Sequence, residues 1–234
     1  MQVRLGVAKV PKYGVLESGD TFEVVERRRG GFSVIMADGQ GSGAAAKRLS
    51  NLVVSRAMSL ISEGARDGAV ARAVNDVLYA LRDGKVSCEL AILSVDLRTR
   101  TLVISRNTAV PVWVRTAEGL IVCSEACSPM GMQDGVKPCI TEFPLSEGML
   151  AATFTDGVLY SGVKHGLGEA FQEAGDLIGG WAPDRVERLS EALLELGMRR
   201  DNNRPQDDMA AVAIGVVGEE SEHKVRKMTV SFPV

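Results

Sequence analysis

The sequence predicts an α+β fold in which helices pack outside an antiparallel β-sandwich. Between residues 87 and 155, apolar and polar residues follow strand-like patterns without a helical period. Two stretches with a helical period precede this region, and two follow it. Parallel neighbours need long crossovers, whereas these strands are separated by turn sequences, so they should pair antiparallel. This order favours helices outside sheets over a doubly wound sheet.

The N-terminal part should contain three strands followed by two helices. Apolar and polar residues alternate at the start, and Arg28-Arg29-Gly30-Gly31 has the composition of a hairpin turn. Leu49, Leu52 and Val53 begin an apolar stripe with helical spacing, and Gly64 is a suitable C-terminal stop. The expected elements are a strand at 1–7, a turn at 12–19, hairpin strands at 21–26 and 32–37, and helices from 44 to about 62 and from about 68 to 82.

The remainder should contain a run of strands, two helices and a last buried strand. Pro183 suits a first helical turn, and the polar segment 201–206 should be a loop. The expected strands are 88–95, 101–106, 112–115, 120–123, 139–143, 149–155 and 209–217, with helices at about 167–178 and 183–199. We expect residues 1–217 to form one domain. Residues 218–234 should be a C-terminal tail or edge strand, because Met228, Val230, Phe232 and Val234 alternate with polar residues or proline.

Four short acidic signals stand out against this pattern: Gly19-Asp20, Asp38-Gly39, Asp156-Gly157 and Asp207-Asp208. The second and third end apolar runs, and the fourth opens one. Carboxylates at strand ends sit on rigid backbone and could meet at one edge of a sheet. Oxygen-only clusters suit hard divalent cations such as Mg²⁺ and Mn²⁺. The abrupt ends of the runs favour a ligand role at Asp38 and Asp156, whereas Asp20 could be a turn residue and Asp207 the end of a loop.

The glycine-rich stretch from Gly39 to Gly43 connects a strand to a helix. Its glycines allow the backbone to come close to an ion or phosphate, and the helix N-terminus offers free N–H groups. The alternative is an ordinary strand-to-helix turn. A dinucleotide-binding loop is disfavoured, because the third glycine comes one residue early and no parallel strand follows.

Composition argues against several classes of protein. The chain is 45% hydrophobic and 24% charged, which is ordinary for a globular domain. A net charge of -3 and the lack of a basic stripe argue against a nucleic-acid partner. We expect no membrane span and a cytoplasmic location, because the sequence has no long apolar run and no signal-peptide pattern at its start. The four cysteines form no C-x-x-C pair, so we expect reduced thiols and no zinc site.

Taken together, the acidic signals resemble the metal-dependent protein phosphatase 2C superfamily. The resemblance is to its bacterial SpoIIE-like branch. Within that branch, the sequence is most similar to phosphatases of the kind represented by the stressosome phosphatase RsbX. It spans nearly all of residues 1–217 in order and spacing. The segments that carry it are Glu17-Ser18-Gly19-Asp20, Ala37-Asp38-Gly39-Gln40-Gly41-Ser42-Gly43, Thr155-Asp156-Gly157-Val158 and Asp207-Asp208-Met209-Ala210.

This resemblance implies α-β-β-α layers with two Mn²⁺ or Mg²⁺ ions at one end of the sandwich. It implies hydrolysis of phosphoserine and phosphothreonine in a protein substrate by metal-activated water. The small size is similar to that of the stressosome phosphatase, which implies a phosphorylated STAS-domain protein as substrate and a role in stress signalling.

Site roles are carried over from the resemblance residue by residue. Asp38 would bridge both ions, Gly39 would offer its carbonyl, Asp20 would serve the second ion, and Asp156 and Asp207 would hold the first. Asp38, Asp156 and Asp207 are therefore the catalytic candidates. The supporting candidates are Asp208, Gly41 and Gly157. Lys12 is a phosphate-binding candidate, with a solvated loop lysine as the alternative.

The sequence departs from many relatives at two points. Gln40 stands where many members have a histidine that is proposed as the general acid, and no obvious phosphate-binding arginine is present. These departures leave a second hypothesis open, namely a catalytically weak pseudophosphatase that acts as a partner-binding module.

Overall fold

A computed structural model describes residues 1–218 and 225–231 of the chain. Within these residues, ten β-strands, five α-helices and a 3₁₀ turn at Val163–His165 are found. The strands are β1 Gln2–Val10, β2 Asp20–Glu26, β3 Gly31–Gly39, β4 Cys88–Asp96, β5 Thr101–Asn107, β6 Val112–Thr116, β7 Gly119–Cys123, β8 Cys139–Pro144, β9 Leu150–Phe154 and β10 Met209–Val217. The helices are α1 Gly43–Glu63, α2 Asp67–Arg82, α3 Asp156–Leu159, α4 Phe171–Gly180 and α5 Val186–Arg200. No helix among the described residues is long and apolar enough to cross a membrane.

The strands form two five-stranded sheets with the orders β1-β10-β9-β6-β7 and β2-β3-β4-β5-β8. Neighbouring strands in both sheets pair antiparallel throughout. This confirms the predicted fold class.

Alternation along the strands divides the apolar side chains into three buried layers. Val34 and Met36 of β3 pack between the two sheets, together with residues of β10 such as Val212. Ile35, between them in sequence, faces α1 and α2 on the outside of its sheet. Phe154 of β9 faces α4 and α5 on the outside of the other sheet. The layers are therefore α-β-β-α, as the resemblance implied.

Some element boundaries differ from the predictions. The predicted strand 149–155 ends at Phe154, and Asp156 begins the short helix α3, which the sequence analysis missed. The helix expected from 167 starts at Phe171, because the Ala170 N–H donates to the Leu159 carbonyl at 2.7 Å and ties the preceding residues to α3.

The last long helix starts at Val186 and not at Pro183. The reason is a turn, in which the Arg185 N–H donates to the Ala182 carbonyl at 3.2 Å. The Pro183 carbonyl packs so closely on β10 that a Cβ added at Gly215 would lie 1.9 Å from it.

Two further expectations concern the tail and the cysteines. Residues 225–231 have no regular secondary structure, and Phe232 and Val234 lie outside the described residues. The domain boundary at 217 stays a prediction. The expectation of reduced thiols is wrong for Cys127 and Cys139, which form a disulfide with Cα atoms 6.0 Å apart. Their separation of 12 residues gave no motif, and the fold brings them together.

Candidate active site

Three carboxylates form a row across one end of the β2-β3-β4 sheet. Asp20 lies opposite Asp38 in the pairing of β2 with β3, and Asp38 lies opposite Glu89 in the pairing of β3 with β4. Directly opposed residues of antiparallel strands share a face. Met36, two residues before Asp38, packs between the sheets, so the row lies at the end of the inter-sheet core.

The other sheet brings further acids to the same end. Asp156 lies two residues after the end of β9. Asp207 and Asp208 directly precede the neighbouring strand β10. Thr155 connects the two sheets here. Its hydroxyl donates to Asp20 Oδ2 at 2.8 Å and accepts a backbone N–H of β10 at 2.9 Å. The predicted acids are therefore gathered at one end of the sandwich.

The carboxyl group of Asp156 lies close enough to Asp38 to disfavour the ionised form of Asp38. Burial raises the pKa of Asp38 to about 11, and the neighbouring charges of Asp20, Asp156 and Glu89 add to the shift. Burial also raises the pKa of Asp20 to about 7, opposed by the hydrogen bond from Thr155 and reinforced by three other aspartates. Without a counter-charge, these acids resist ionising together.

The residues at this site fit a hard divalent cation by their chemistry. Every candidate ligand is a carboxylate or carbonyl oxygen, and Asp20 Oδ1 is buried without a hydrogen-bond partner. No group of three or more His, Cys, Asp or Glu side chains among residues 1–218 and 225–231 has the geometry of a formed metal site. The fit therefore rests on donor type, burial and mutual repulsion of the carboxylates. Because the pKa of Asp38 is raised, its proton would have to leave when a cation binds.

Asp208 fastens the N-terminal segment to this end of the sandwich. Its two carboxylate oxygens accept the backbone N–H groups of Lys12 at 2.9 Å and Gly19 at 2.8 Å. This places Asp20, the next residue after Gly19, beside β10. Asp207 Oδ1 accepts the Asp208 N–H at 2.9 Å. Burial raises the pKa of Asp207, partly offset by that hydrogen bond.

Two glycines of the acidic signals are required by close packing. A Cβ added at Gly39 would lie 2.3 Å from the Ala46 carbonyl of α1. A Cβ added at Gly157 would lie 2.1 Å from the Asp208 carbonyl. These glycines let α1 and the start of β10 approach the acids. Gly41 is different: it has φ +96 and no heavy atom near an added Cβ, so its role is conformational.

Gln40 and Lys12 have identifiable contacts. The Gln40 side-chain carbonyl accepts the Ser87 N–H at 2.9 Å, and the Gln40 N–H donates to the Ser87 carbonyl at 3.1 Å. Gln40 thus joins the end of β3 to the segment before β4. The Lys12 charge lies near enough to Asp207 to oppose the rise in its pKa.

Three residues near the acids were missed by the sequence analysis: Glu89, Thr155 and Lys47. Lys47 Nζ donates to the Asp20 carbonyl at 2.9 Å, and burial lowers its pKa to about 8. Thr155 adjoins an acidic signal and was overlooked as part of a strand. No sequence motif marks Glu89. It joins the acids only because the pairing of β3 with β4 places it opposite Asp38.

A cavity of about 110 Å³ adjoins the acids on the α3 side. Its lining includes Asp156 and Asp207 together with Tyr160, Lys164 and Gln206. The acids are therefore accessible from one side to a small polar group.

Comparisons with known proteins identify the same architecture. The family model described as Stage II sporulation protein E (SpoIIE) matches residues 28–217. Lys12 and Asp20 precede the matched segment. The chain is 21% identical over 220 residues to Stage II sporulation protein E of Bacillus subtilis (strain 168), covering 92% of this chain and 26% of that protein. It is 22% identical over 163 residues to the Priestia megaterium protein, covering 70% of this chain and 28% of that protein. The chain thus spans about a quarter of the length of these relatives.

Solved structures share the fold. The PP2C phosphatase domain of SpoIIE from Bacillus subtilis, solved with a fragment of its regulatory domain, superposes with a TM-score of 0.79 at 21% identity, covering 92% of this chain and 64% of that one. RsbX in complex with magnesium superposes with a TM-score of 0.69 at 14% identity, covering 91% and 94%. Of these two, the SpoIIE domain is the more similar.

Proposed function

Because this chain belongs to the SpoIIE family, we propose that it is a divalent-metal-dependent serine/threonine protein phosphatase. The proposed cofactors are two Mn²⁺ or Mg²⁺ ions, and the proposed substrate is a phosphoprotein. The observation that carries the proposal is the convergence of Asp20, Asp38, Asp156 and Asp207 from both sheets on one end of the sandwich. The presence of magnesium in the structure of RsbX supports the choice of cation for a shared fold.

In this proposal, Asp38 would help to hold both ions, because it lies centrally, opposite Asp20 in the sheet and near Asp156 of the other sheet. Asp20 and the Gly39 carbonyl would hold one ion, and Asp156 and Asp207 would hold the other. Thr155 fixes the Asp20 carboxylate through its 2.8 Å hydrogen bond. Bound divalent ions would supply activation of water and neutralisation of the charge that develops on the phosphoryl group.

The leaving group must obtain its proton from a source other than residue 40. An amide does not donate a proton as an acid at neutral pH, and the Gln40 side chain is already bonded to Ser87. Water that enters through the cavity beside Asp156 is the proton source that the geometry favours.

The proposed substrate and cellular setting rest on the resemblance to the stressosome phosphatase. We propose a phosphorylated STAS-domain protein as substrate, with a role in stress signalling of the stressosome type and a cytoplasmic location. Support for this part comes from the similarity to RsbX.

Turnover with added metal tests the proposal. Purified protein is assayed on a phosphoserine peptide with Mn²⁺, with Mg²⁺ and with EDTA. We expect Mn²⁺ or Mg²⁺ to support turnover, EDTA to abolish it, and Asp38→Asn to remove it without unfolding the protein. Equal rates for the wild type and Asp38→Asn would refute the proposed enzyme.

The second candidate function is a pseudophosphatase that recognises a phosphoprotein without turnover. The observation that favours it is the pair of hydrogen bonds between Gln40 and Ser87. Gln40 stands where many relatives have a histidine that is proposed as the general acid. It predicts partner binding with weak or absent Mn²⁺ binding in calorimetry. Tight Mn²⁺ binding together with turnover would exclude it.

A further inference from the structure

The cavity beside the acids has the dimensions of a site for a small anion. Its volume is about 110 Å³, and a water molecule in the liquid takes about 30 Å³. The space therefore suits a group the size of a few water molecules, such as a phosphoryl group. Asp156 and Asp207 line the cavity together with Tyr160, Lys164 and Gln206, whose side chains can donate hydrogen bonds. The hydroxyl of Ser161 also lines it but donates to the Val158 carbonyl at 2.7 Å.

Lys164 is the cation of this lining, and its ammonium group is available. It forms no hydrogen bond or ion pair with any residue in the described part of the chain. The lining acid Asp201 is different, because its two carboxylate oxygens accept the N–H groups of Gly162 at 2.7 Å and Gln206 at 2.8 Å. Asp201 is thus occupied in holding the cavity wall together.

The turn that carries Lys164 is held on both sides. Gly162 and Gly166 flank it with φ values of 75 and 83, a left-handed conformation that favours glycine. A Cβ at Gly162 would lie 2.7 Å from a Leu167 methyl carbon. The Arg200 side chain also donates to the Ser161 carbonyl at 3.1 Å. A lysine on a fixed turn loses less conformational freedom when it binds an anion.

We propose that Lys164 positions the phosphoryl group of the substrate. It would take the place of a phosphate-binding arginine, for which the sequence has no obvious candidate. The proposal rests on the proposed function, in which Asp156 and Asp207 are engaged with divalent ions. A phosphate ester would then have divalent ions at Asp156 and Asp207 and the Lys164 ammonium on the 3₁₀ turn, so two parts of the lining would balance its charge. Lys164 acts by positioning and transfers no proton.

Phosphate binding and kinetics test this role together. Inorganic phosphate is titrated calorimetrically into the Mn²⁺-loaded wild type and into Lys164→Ala, Lys164→Arg, Lys12→Ala and Lys85→Ala. Lys85 is the matched control, because it is exposed and paired with Asp83 at 2.9 Å on the surface. We expect Lys164→Ala to weaken phosphate binding about 10-fold or more, since loss of one charge-assisted hydrogen bond has that effect.

The remaining variants separate positioning from a general structural effect. Lys164→Arg should recover most of the phosphate affinity, whereas Lys85→Ala should match the wild type. In the phosphopeptide assay, Lys164→Ala should raise KM more than it lowers kcat, with the Mn²⁺ affinity and the melting temperature unchanged.

The inference and the proposed function can fail separately. Phosphate affinity of Lys164→Ala within twofold of the wild type overturns the inference, even if the enzyme is active. A large loss in Lys12→Ala with none in Lys164→Ala assigns the role to Lys12 and also overturns it. Absence of phosphate binding by the wild type, with or without Mn²⁺, has the same consequence. Lys164-dependent phosphate binding without turnover supports the inference and refutes the phosphatase.

Discussion

Replacing Asp38 by asparagine should stabilise the metal-free protein while it abolishes activity. The pKa of Asp38 is raised in the folded protein, from an ordinary value of 3.8 to about 11, chiefly by burial. A group of this kind contributes stability at pH values below 3.8 that is lost progressively as the pH rises towards the folded pKa. At neutral pH, folding therefore holds a proton on Asp38 against its tendency to ionise. Asparagine fills the same space and never ionises.

The size of the effect follows from the shift. Each pKa unit corresponds to about 1.4 kcal/mol, and about three units separate the ordinary pKa from pH 7. The upper bound is therefore about 4 kcal/mol, and we expect Asp38→Asn to raise the free energy of unfolding by about 1–4 kcal/mol in EDTA at pH 7. The pKa of Asp20 is also raised, to about 7, in part by other aspartates. Wild-type stability in EDTA should thus fall between pH 5 and 8, and the fall should be shallower in the variant.

Urea unfolding at pH 5, 6, 7 and 8 with EDTA measures both quantities. The matched control is Asp67→Asn, because Asp67 is also a buried aspartate but accepts hydrogen bonds from Arg27 at 2.8 Å and Ser94 at 2.7 Å. That variant should lose about 2–4 kcal/mol, since it removes the carboxylate charge that balances the half-buried Arg27 guanidinium. The reasoning is refuted if Asp38→Asn is less stable than the wild type in EDTA, or if its stability depends on pH as steeply.

Two further substitutions test the packing and the hydrogen bonding of the site. Gly157→Ala should abolish turnover and cost about 1–3 kcal/mol in urea unfolding, because its Cβ would lie 2.1 Å from the Asp208 carbonyl. Gly168→Ala, with open space at its Cβ, is the control and should behave as the wild type. Thr155→Val removes the hydrogen bond that lowers the pKa of Asp20, so protons should compete better with Mn²⁺. Calorimetry should show about 10-fold weaker Mn²⁺ binding at pH 6.5 and a smaller deficit at pH 8.5.

Other outcomes would contradict these two predictions. Full activity of Gly157→Ala would mean that the start of β10 does not need its close contact with residue 157. A Thr155→Val deficit that is equal at both pH values would mean that the hydroxyl acts on the metal site by another route than the charge of Asp20.

Most of the fold could be predicted from the sequence, because the local spacing of apolar residues shows which face of each strand or helix is buried. In β3, Val34 and Met36 face the other sheet while Ile35 faces the helices, which gives a continuous apolar run that ends abruptly at Asp38. Boundaries were harder where tertiary contacts decide them. Pro183 suits a helix start by its own chemistry, but the packing of its carbonyl against Gly215 keeps it outside α5.

Only part of the site could be predicted from the sequence, because some of its residues come together only through the pairing register of the strands. Glu89 has no sequence neighbour among the acids and becomes one only through its pairing opposite Asp38. The place of Asp208 in an acidic motif predicts a supporting role for it. Its contacts with the N–H groups of Lys12 and Gly19 depend on how the N-terminal segment crosses β10. The metal roles of the acids stay predictions.

Anomalous diffraction from crystals soaked in Mn²⁺ tests the central claim most directly. We predict two peaks on either side of the Asp38 carboxylate, one in contact with Asp20 and the other with Asp156 and Asp207. The proton that Asp38 holds at neutral pH without metal would be displaced. Mn²⁺ peaks that are absent from the Asp38 carboxylate, or that appear only at acids elsewhere on the surface, would contradict the account.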